Sequence, residues 1–252
     1  MKKEEQILCG HLIDLANACY QRDRIMLSDF LTLNEQDLFL TYCQDKLPPV
    51  QYELCGGYEA AERKAICFQP IGVGRDDLTP LVLLRVKPLN KKFAEELGHR
   101  DYLGSLMNLG IERTKLGDLM PDRDGCLIVC QEAVADFICE QLTRVRHTVV
   151  VCSRQEPDEF EYQPQVKRIE GTVASVRLDA VIGLAFSQSR SRLVGYIEGE
   201  KVFVNGKCIT SNAYQLKEQD LVSVRGIGKF RFLEINHTTK KGRISVSLEL
   251  FV

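Results

Sequence analysis

Short apolar segments alternate with amphipathic segments between residues 81 and 152, and this order constrains the fold more than any other feature of the chain. The runs at 81–86, 126–130 and 148–152 are too short for buried helices and predict strands. Residues 93–109 and 132–142 carry apolar side chains at helical spacing and predict helices between the strands. The alternation predicts a small α/β domain with helices covering one sheet, in an order compatible with a ferredoxin-like fold.

The first part of the chain has a helical pattern that gives way to two short strands. Apolar residues at spacings of four, three and four predict a helix over residues 3–21. Asn34 is placed to cap a second helix, and Pro48 ends it. Residues 50–54 and 65–68 predict strands, separated by a glycine turn.

A different pattern follows residue 165. Leu178, Ile182 and Ala185 mark one face of a short helix, and Ser189 is placed to cap the next. Asn205-Gly206 between two short apolar runs predicts a tight hairpin. Residues 244–252 alternate between apolar and other side chains, which predicts a half-buried strand.

These patterns predict an α+β chain of four parts. A helical region covers residues 1–48, the ferredoxin-like α/β domain covers 49–153, and a Pro-containing linker covers 154–169. A small α/β domain over residues 170–252 completes the chain.

The net charge of -2 conceals two regions of opposite sign. Residues 165–252 contain 14 Lys and Arg against 8 Asp and Glu, a balance of +6. The remaining 19 of 33 basic and 27 of 35 acidic residues precede position 165 and give a balance of -8. A basic region attached to an acidic body predicts a polyanion as partner.

The C-terminal cations are placed to read a phosphate backbone. Arg190 and Arg192 follow the capping residue Ser189, where unpaired N–H groups and the helix dipole attract anions. Lys201 and Lys207 flank the predicted hairpin. A cationic ridge of this kind suits folded RNA, which is recognised largely by shape and phosphate. The predicted RNA-binding residues are Arg177, Ser189, Arg190, Arg192, Lys201, Asn205, Lys207, Arg225, Lys229 and Arg231.

Five separate pieces of this region resemble the S4 RNA-binding domain in order and spacing. They are Arg177-Leu178-Asp179, Ser189-Arg190-Ser191-Arg192, Gly199-Glu200-Lys201-Val202, Val204-Asn205-Gly206-Lys207 and Asp220-Leu221-Val222-Ser223-Val224. The resemblance implies RNA binding, which many S4 proteins share.

Longer segments resemble the bacterial YlmH family over most of the chain. They are residues 56–64 (GGYEAAERK), 97–104 (LGHRDYLG), 174–182, 224–230 and 239–243. The resemblance implies that the α/β domain over residues 49–153 is similar to an RNA-recognition motif (RRM-like), that the C-terminal domain is an S4 domain, and that the protein has no catalytic activity. It also implies association with the large ribosomal subunit, on ribosomal and transfer RNA, in the handling of stalled nascent chains.

Two of these upstream segments contain cations that predict a second RNA contact or an internal salt-bridge cluster. The cations are Arg63, Lys64, His99 and Arg100. The sequence His99-Arg100-Asp101 matches a kinase catalytic motif, but the glycine-rich loop, strand lysine and DFG of kinases are missing. We favour a structural role for this trio. Arg177 has the same ambiguity, because Asp179 beside it could form an ion pair.

Two other functions remain open from the sequence. Arg177-Leu178-Asp179 resembles the catalytic segment of pseudouridine synthases, but the 73 residues after Asp179 are taken up by the predicted hairpin and final strands, so a catalytic domain does not fit there and we expect Asp179 to order the first helix. The main alternative is an RNA-modifying enzyme, pseudouridine-synthase-like, with its active site in residues 50–152 and the S4 domain as its RNA anchor. That enzyme predicts a deep pocket with convergent carboxylates. A protein adaptor that uses the α/β body for contacts is the third reading.

Ten cysteines without a CxxC pair predict buried thiols in a reducing compartment rather than disulfides. Cys126 and Cys130 have a spacing that some zinc sites use, but no suitable second pair accompanies them. We therefore predict no metal and no cofactor. The chain lacks an 18-residue apolar stretch and a signal peptide, which predicts a cytoplasmic protein that does not span a membrane. We also expect a monomer.

Overall fold

The computed structural model describes residues 2–58, 61–72, 81–155 and 166–251, apart from the side chains of residues 190 and 191. The chain divides into two compact units, Met1–Glu161 and Tyr162–Val252. In the described part of the chain, no helix is long and apolar enough to cross a bilayer.

The first unit begins with two helices that pack on a small antiparallel sheet. The elements are α1 (Lys3–Arg22), β1 (Met26–Leu27), α2 (Leu33–Tyr42), β2 (Gln51–Cys55) and β3 (Ala65–Gln69), and the strand order is β1-β3-β2. Leu12, Phe39 and Phe68 form part of a common core between helices and sheet. The strands β2 and β3 therefore belong to the core of the N-terminal helices, whereas the sequence assigned them to the RRM-like domain.

The cap of α2 differs from the predicted one. Thr32, not Asn34, occupies the N-cap, and its hydroxyl accepts a hydrogen bond from the Glu35 backbone N–H at 3.4 Å. The Glu35 carboxylate in return accepts from the Thr32 backbone N–H at 2.6 Å. This reciprocal capping box satisfies two N–H groups at once, which a lone Asn cap cannot do.

Residues 81–155 form the predicted RRM-like domain. The elements are β4 (Leu81–Pro88), α3 (His99–Asn108), β5 (Leu116–Asp122), β6 (Gly125–Gln131), α4 (Glu132–Gln141), β7 (Arg144–Val145) and β8 (Thr148–Gln155). The sheet is antiparallel with order β5-β6-β4-β8-β7. Its four long strands have the βαββαβ arrangement of the ferredoxin-like fold, so the predicted fold class is confirmed.

Two elements of this domain differ from the prediction. Helix α3 begins at His99 rather than near residue 93, because Asp101 accepts a hydrogen bond from the Gly98 N–H at 2.9 Å and starts the helix there. Strand β5 was not predicted. A register shift between Leu116 and Leu119 interrupts its alternation, so its sequence lacks the period-two pattern.

The helices α3 and α4 cover one face of this sheet, and the N-terminal helical part packs against the other. Leu84, Ile128 and Ile138 lie in the core on the helix side. On the other side, a Cβ at Gly117 would lie 2.8 Å from a ring carbon of Phe30, so only glycine permits this close approach.

The second unit is a six-stranded antiparallel sheet with two helices on one face. Its elements are β9 (Val166–Val173), α5 (Leu178–Phe186), α6 (Arg190–Glu198), β10 (Val202–Val204), β11 (Lys207–Cys208), β12 (Leu221–Val224), β13 (Gly228–Thr238) and β14 (Ile244–Phe251). The strand order is β11-β10-β12-β13-β14-β9. Both helices, the hairpin and the last strand occur where the sequence predicts them.

The limits of the predicted linker are too wide. Strand β8 continues to Gln155, and β9 begins at Val166 and pairs with β14 along its whole length. Residues 156–165, with both linker prolines, lie outside the described residues. The exposed, charged start of β9 resembles a loop in the sequence because its partner strand is about 80 residues away.

Candidate nucleic-acid interface

The start of α6 presents positive charge at a helix N-terminus. Ser189 occupies the predicted N-cap position, and its carbonyl accepts a hydrogen bond from the Leu193 N–H at 3.3 Å. Arg192 is exposed in the first turn. The helix dipole and the unpaired N–H groups of this turn favour an anion at the same end. Arg190 begins the helix, but its side chain lies outside the described atoms.

Two lysines continue this positive charge beside the hairpin. Lys201 is exposed, and its ammonium nitrogen lies 5.4 Å from the ring centre of Tyr196 on α6. Lys207 pairs across the hairpin with Val204, whose side chain faces the helices, so Lys207 points to the helix side of the sheet. We call Arg192, Lys201 and Lys207 the helix-side cluster.

Arg177 forms the ion pair that the sequence left open. Its Nε lies 3.1 Å from Oδ1 of Asp179, and Asp179 is only 7% exposed. The Arg177 side chain is itself 41% exposed, so part of the guanidinium group still faces solvent. Because Asp179 needs this cation as a partner, Arg177 has a structural role at the start of α5.

Asn205 is also committed to the fold, although the sequence predicted an RNA contact. Its amide donates a hydrogen bond to Oδ1 of Asp220 at 2.8 Å, and its side-chain oxygen accepts one from the Leu221 N–H at 2.9 Å. Asp220 is buried, so it depends on such donors. Asn205 and Gly206 adopt φ values of 49° and 85°, as a two-residue type I′ turn requires.

The remaining predicted cations lie on the opposite face of the sheet. Lys229 and Arg231 flank the buried Phe230 on β13, and alternation directs them away from the helices. Arg225 lies over the Phe203 ring at 4.8 Å, and Phe203 alternates with two core valines. The prediction of one continuous cationic ridge is therefore wrong, because alternation along the strands divides the cations between two faces.

The predicted second RNA contact is mainly structural. The Arg63 guanidinium donates to the carbonyls of Leu116 at 3.1 Å and Phe30 at 2.8 Å, and burial lowers its pKa. Lys64 pairs through its backbone with Leu31. Arg63 thus ties the N-terminal helical part to the central sheet.

His99 and Arg100 begin α3. Burial and the nearby Arg113 lower the pKa of His99, while Asp118 acts in the opposite direction. Asp101 caps the helix and lies 3.6 Å from Arg146. The structure therefore gives Asp101 the internal, salt-bridging role that we favoured over a kinase-like one.

A group of polar side chains around Asp118, which the sequence did not predict, contacts the segment of residues 56–64. Asp118 accepts hydrogen bonds from the Tyr58 hydroxyl at 2.7 Å and from the backbone N–H groups of Glu62 and Arg63. Burial, followed by the charge of Arg63, lowers the pKa of Arg113 to about 10. Strand β5 carries Asp118, so the missed strand also concealed this cluster.

A shallow cavity lies at the central sheet, with a volume of about 300 Å³. It is lined by Arg85, Lys87, Asp122, Leu127, Ser153, Arg154 and Gln155. Asp122 is the one carboxylate of this lining, and Arg85 binds it through two hydrogen bonds of 2.6 and 2.9 Å. This paired carboxylate differs from the convergent carboxylates that an RNA-modifying enzyme requires.

The face of β4 and β6 that points away from α3 and α4 carries none of the aromatic residues with which RRM domains stack bases. Its side chains include Leu83, Arg85 and Lys87 on β4 and Leu127 and Val129 on β6. Base stacking of the RRM kind is therefore not available on these two strands.

Cys126 and Cys130 point into the core between sheet and helices. Burial raises the pKa of each thiol to about 12, so both remain protonated at neutral pH. Among the described residues, no group of three His, Cys, Asp or Glu side chains is arranged to hold a metal ion.

Comparisons with known proteins agree with the two-unit architecture. A family model described as "Putative RNA-binding domain in YlmH" matches residues 80–159, and the S4 domain model matches residues 176–222. "Ribosome-associated protein quality control protein P2" of Bacillus subtilis (strain 168) is 27% identical over 252 residues, covering 98% of this chain and 96% of that protein.

A solved structure, "Cell division protein ylmH from Streptococcus pneumoniae", superposes with a TM-score of 0.50 at 16% identity. The superposed region covers 64% of the present chain and 97% of the Streptococcus pneumoniae chain. This similarity concerns the fold alone.

Proposed function

We propose that this chain, a YlmH-family protein with an S4 domain, binds structured ribosomal RNA on the large ribosomal subunit. We further propose that it acts in the handling of stalled nascent chains and that it contacts transfer RNA as a second ligand. The observation that carries the proposal is the helix-side cluster: Arg192 lies in the first turn of α6, Lys201 follows the C-terminal end of α6, and Lys207 lies on the hairpin of the S4 domain.

Three properties of this cluster support RNA as the ligand. Its three cations are exposed, and no ion pair joins them to a carboxylate in the described part of the chain. The α6 dipole adds a positive potential beside Arg192. Exposed cations of this kind suit the phosphates and shape of folded RNA, which lacks an accessible major groove.

The ribosomal setting draws support from a relative that spans nearly the whole chain. The Bacillus subtilis protein is named for ribosome-associated quality control, and the match includes both units. A shared arrangement of both domains supports a shared setting more strongly than an S4 domain alone, since that domain occurs in proteins of many functions.

We propose that the protein binds RNA without transforming it, as a cytoplasmic monomer. Asp179, the residue that resembles a synthase aspartate, is buried and held by Arg177. The carboxylate at the central cavity is likewise bound by an arginine. Mass analysis of ribosomal RNA after incubation with the protein tests this, and a mass shift in the RNA would favour the enzyme.

The salt dependence of binding tests the main proposal. With about four phosphate contacts, the affinity for ribosomal RNA should fall roughly a hundredfold between 50 and 200 mM salt. Filter binding over that range measures the slope, and co-sedimentation with purified large and small subunits measures the preference. A flat salt response, or equal binding to both subunits, would contradict the proposal.

A further inference from the structure

The S4-domain sheet has a second face, which the helices leave uncovered. Direct cross-strand pairs place Phe203, Ser223, Lys229 and Phe251 in one row across β10, β12, β13 and β14. These side chains alternate with core residues such as Val204, Val222 and Phe230, so the row faces away from α5 and α6.

Two aromatic rings in this row carry a cation above them. The Arg225 guanidinium carbon lies 4.8 Å from the ring centre of Phe203, and the Lys229 ammonium nitrogen lies 4.6 Å from that of Phe251. Both rings are half-buried, so their edges are fixed by the sheet while part of each surface meets solvent. Each pair places a positive charge against the plane of an aromatic ring, and we call each pair a platform.

The charge around the platforms is positive. Arg231 lies one row away on β13 and faces Glu249, while Arg168 on β9 is held by Glu170 and Glu234 at 3.5 Å each. Among the described residues, the rows of this face contain the cations Arg225, Lys229 and Arg231, and Glu249 faces Arg231. We call Phe203, Arg225, Lys229, Arg231 and Phe251 the open sheet face.

We propose that the open sheet face binds a single-stranded segment of RNA. Bases stack on the Phe203–Arg225 and Phe251–Lys229 platforms, and the backbone phosphates lie against Arg231 and the two platform cations. The rings stand three strands apart, about 14 Å at ordinary strand spacing, so one short segment reaches both. This inference rests on the proposed RNA-binding function and adds a ligand class, unpaired RNA, at a separate surface.

Two features favour unpaired RNA over an acidic protein as the occupant. Paired bases stack on one another inside a duplex, so flat platforms offer nothing to a double helix, whereas unpaired bases stack on phenyl and guanidinium planes. On this face each aromatic ring also has a cation next to it. This arrangement matches the alternation of bases and phosphates along a single strand.

The test measures two RNAs against two variants of the full chain. Phe203→Leu with Phe251→Leu removes both rings but keeps apolar side chains, and Arg192→Ala with Lys207→Ala changes only the helix-side cluster. The probes are a fluorescein-labelled ten-nucleotide oligoadenylate and a base-paired RNA hairpin. We expect the ring variant, which loses two stacking sites, to lose roughly thirtyfold or more in affinity for the oligoadenylate and to keep its hairpin affinity within about twofold.

Three results would overturn the inference. One is unchanged oligoadenylate affinity in a ring variant whose thermal unfolding matches that of the wild type. Another is equally tight binding of an abasic strand of the same length, which would indicate charge alone. The third is displacement of the oligoadenylate by an acidic peptide at equal concentration, which would indicate a protein site. Hairpin affinity lost only in the helix-side variant would leave the proposed function intact in each case.

A tryptophan probe gives a second measurement that does not depend on affinity. The chain contains no tryptophan, so Phe203→Trp introduces a single indole on the platform. Stacking of a base should quench its fluorescence on addition of oligoadenylate, whereas the abasic strand should not. Unchanged fluorescence at saturating oligoadenylate would reject a base stacked at this position.

Discussion

Four arginines of the first unit differ from the proposed RNA-binding cations of the S4 domain in what their charged groups touch. In the first unit, Arg63 and Arg113 bind backbone carbonyls, and Arg85 and Arg154 bind carboxylates. In the S4 domain, the helix-side cluster and Arg225 make no ion pair with the described part of the chain, and Lys201 and Arg225 instead lie over aromatic rings.

The difference teaches that a cation's acceptor, and not its motif, separates a structural role from a binding role. Arg63 occurs in a segment that resembles the YlmH family, and Lys207 occurs in one that resembles the S4 domain. The first is bound within the fold and the second is directed to solvent. Four predictions test this contrast.

The largest effect should come from the helix-side cluster. Removing its three charges with Arg192→Ala, Lys201→Ala and Lys207→Ala should weaken binding of structured ribosomal RNA roughly a hundredfold and reduce the salt slope by about three. Filter binding at several salt concentrations measures both quantities. The unfolding free energy should change little, because these side chains are exposed.

A matched control removes the same charge elsewhere on the domain. Lys217→Ala, Lys240→Ala and Lys241→Ala also change three exposed lysines, and they should reduce RNA affinity only slightly. Equal losses in both triple variants would mean that total charge rather than the helix-side cluster determines binding.

The second-largest effect should be on stability rather than on RNA binding. Arg63→Ala should lower the free energy of unfolding by about 3 kcal/mol, because two carbonyls between the helical part and the central sheet lose a charged donor. Urea denaturation measures this loss, and the folded fraction should bind RNA as the wild type does. Arg63→Lys should recover only part of the stability, since one ammonium group cannot reproduce the two-carbonyl contact.

A smaller effect separates structure from binding inside the S4 domain. Asn205→Gly keeps the positive φ of the turn but removes the amide that binds Asp220 and the Leu221 N–H, and it should cost about 1–2 kcal/mol of stability. A double-mutant cycle with Asp220→Asn measures the coupling. Loss of RNA affinity without loss of stability would restore Asn205 to the RNA interface.

The smallest effect concerns pH. The pKa of His99 is lowered in the folded protein, so the unfolded chain binds this proton more readily, and stability should decline as pH falls below the ordinary value of about 6.5. Denaturation at pH 7 and pH 5 should show a weaker decline in His99→Gln. An identical pH dependence of the two proteins would exclude His99 as the cause.

The sequence predicted local structure well where the pattern was local. Helix α1, the strands around Leu84 and Ile128, and the Asn205-Gly206 turn follow from residues within a few positions of one another. Strands β5 and β9 were missed because a register shift hides the first alternation and the partner of the second is distant in the chain. The S4 and YlmH resemblances, which rest on spacing, are confirmed by the comparisons.

The sequence alone determined the fold class, the basic character of the C-terminal unit and the residues from which an RNA interface could be built. It could not assign those residues to faces. The tertiary structure decided that Arg192 and Lys207 lie on the helix side of the sheet and that Lys229 and Arg231 lie on its opposite face. It also decided that Arg63 and Asn205 form hydrogen bonds within the fold. The physical reason is that a side chain's direction depends on strand register and its availability depends on nearby acceptors, and both are set by residues far away in the chain.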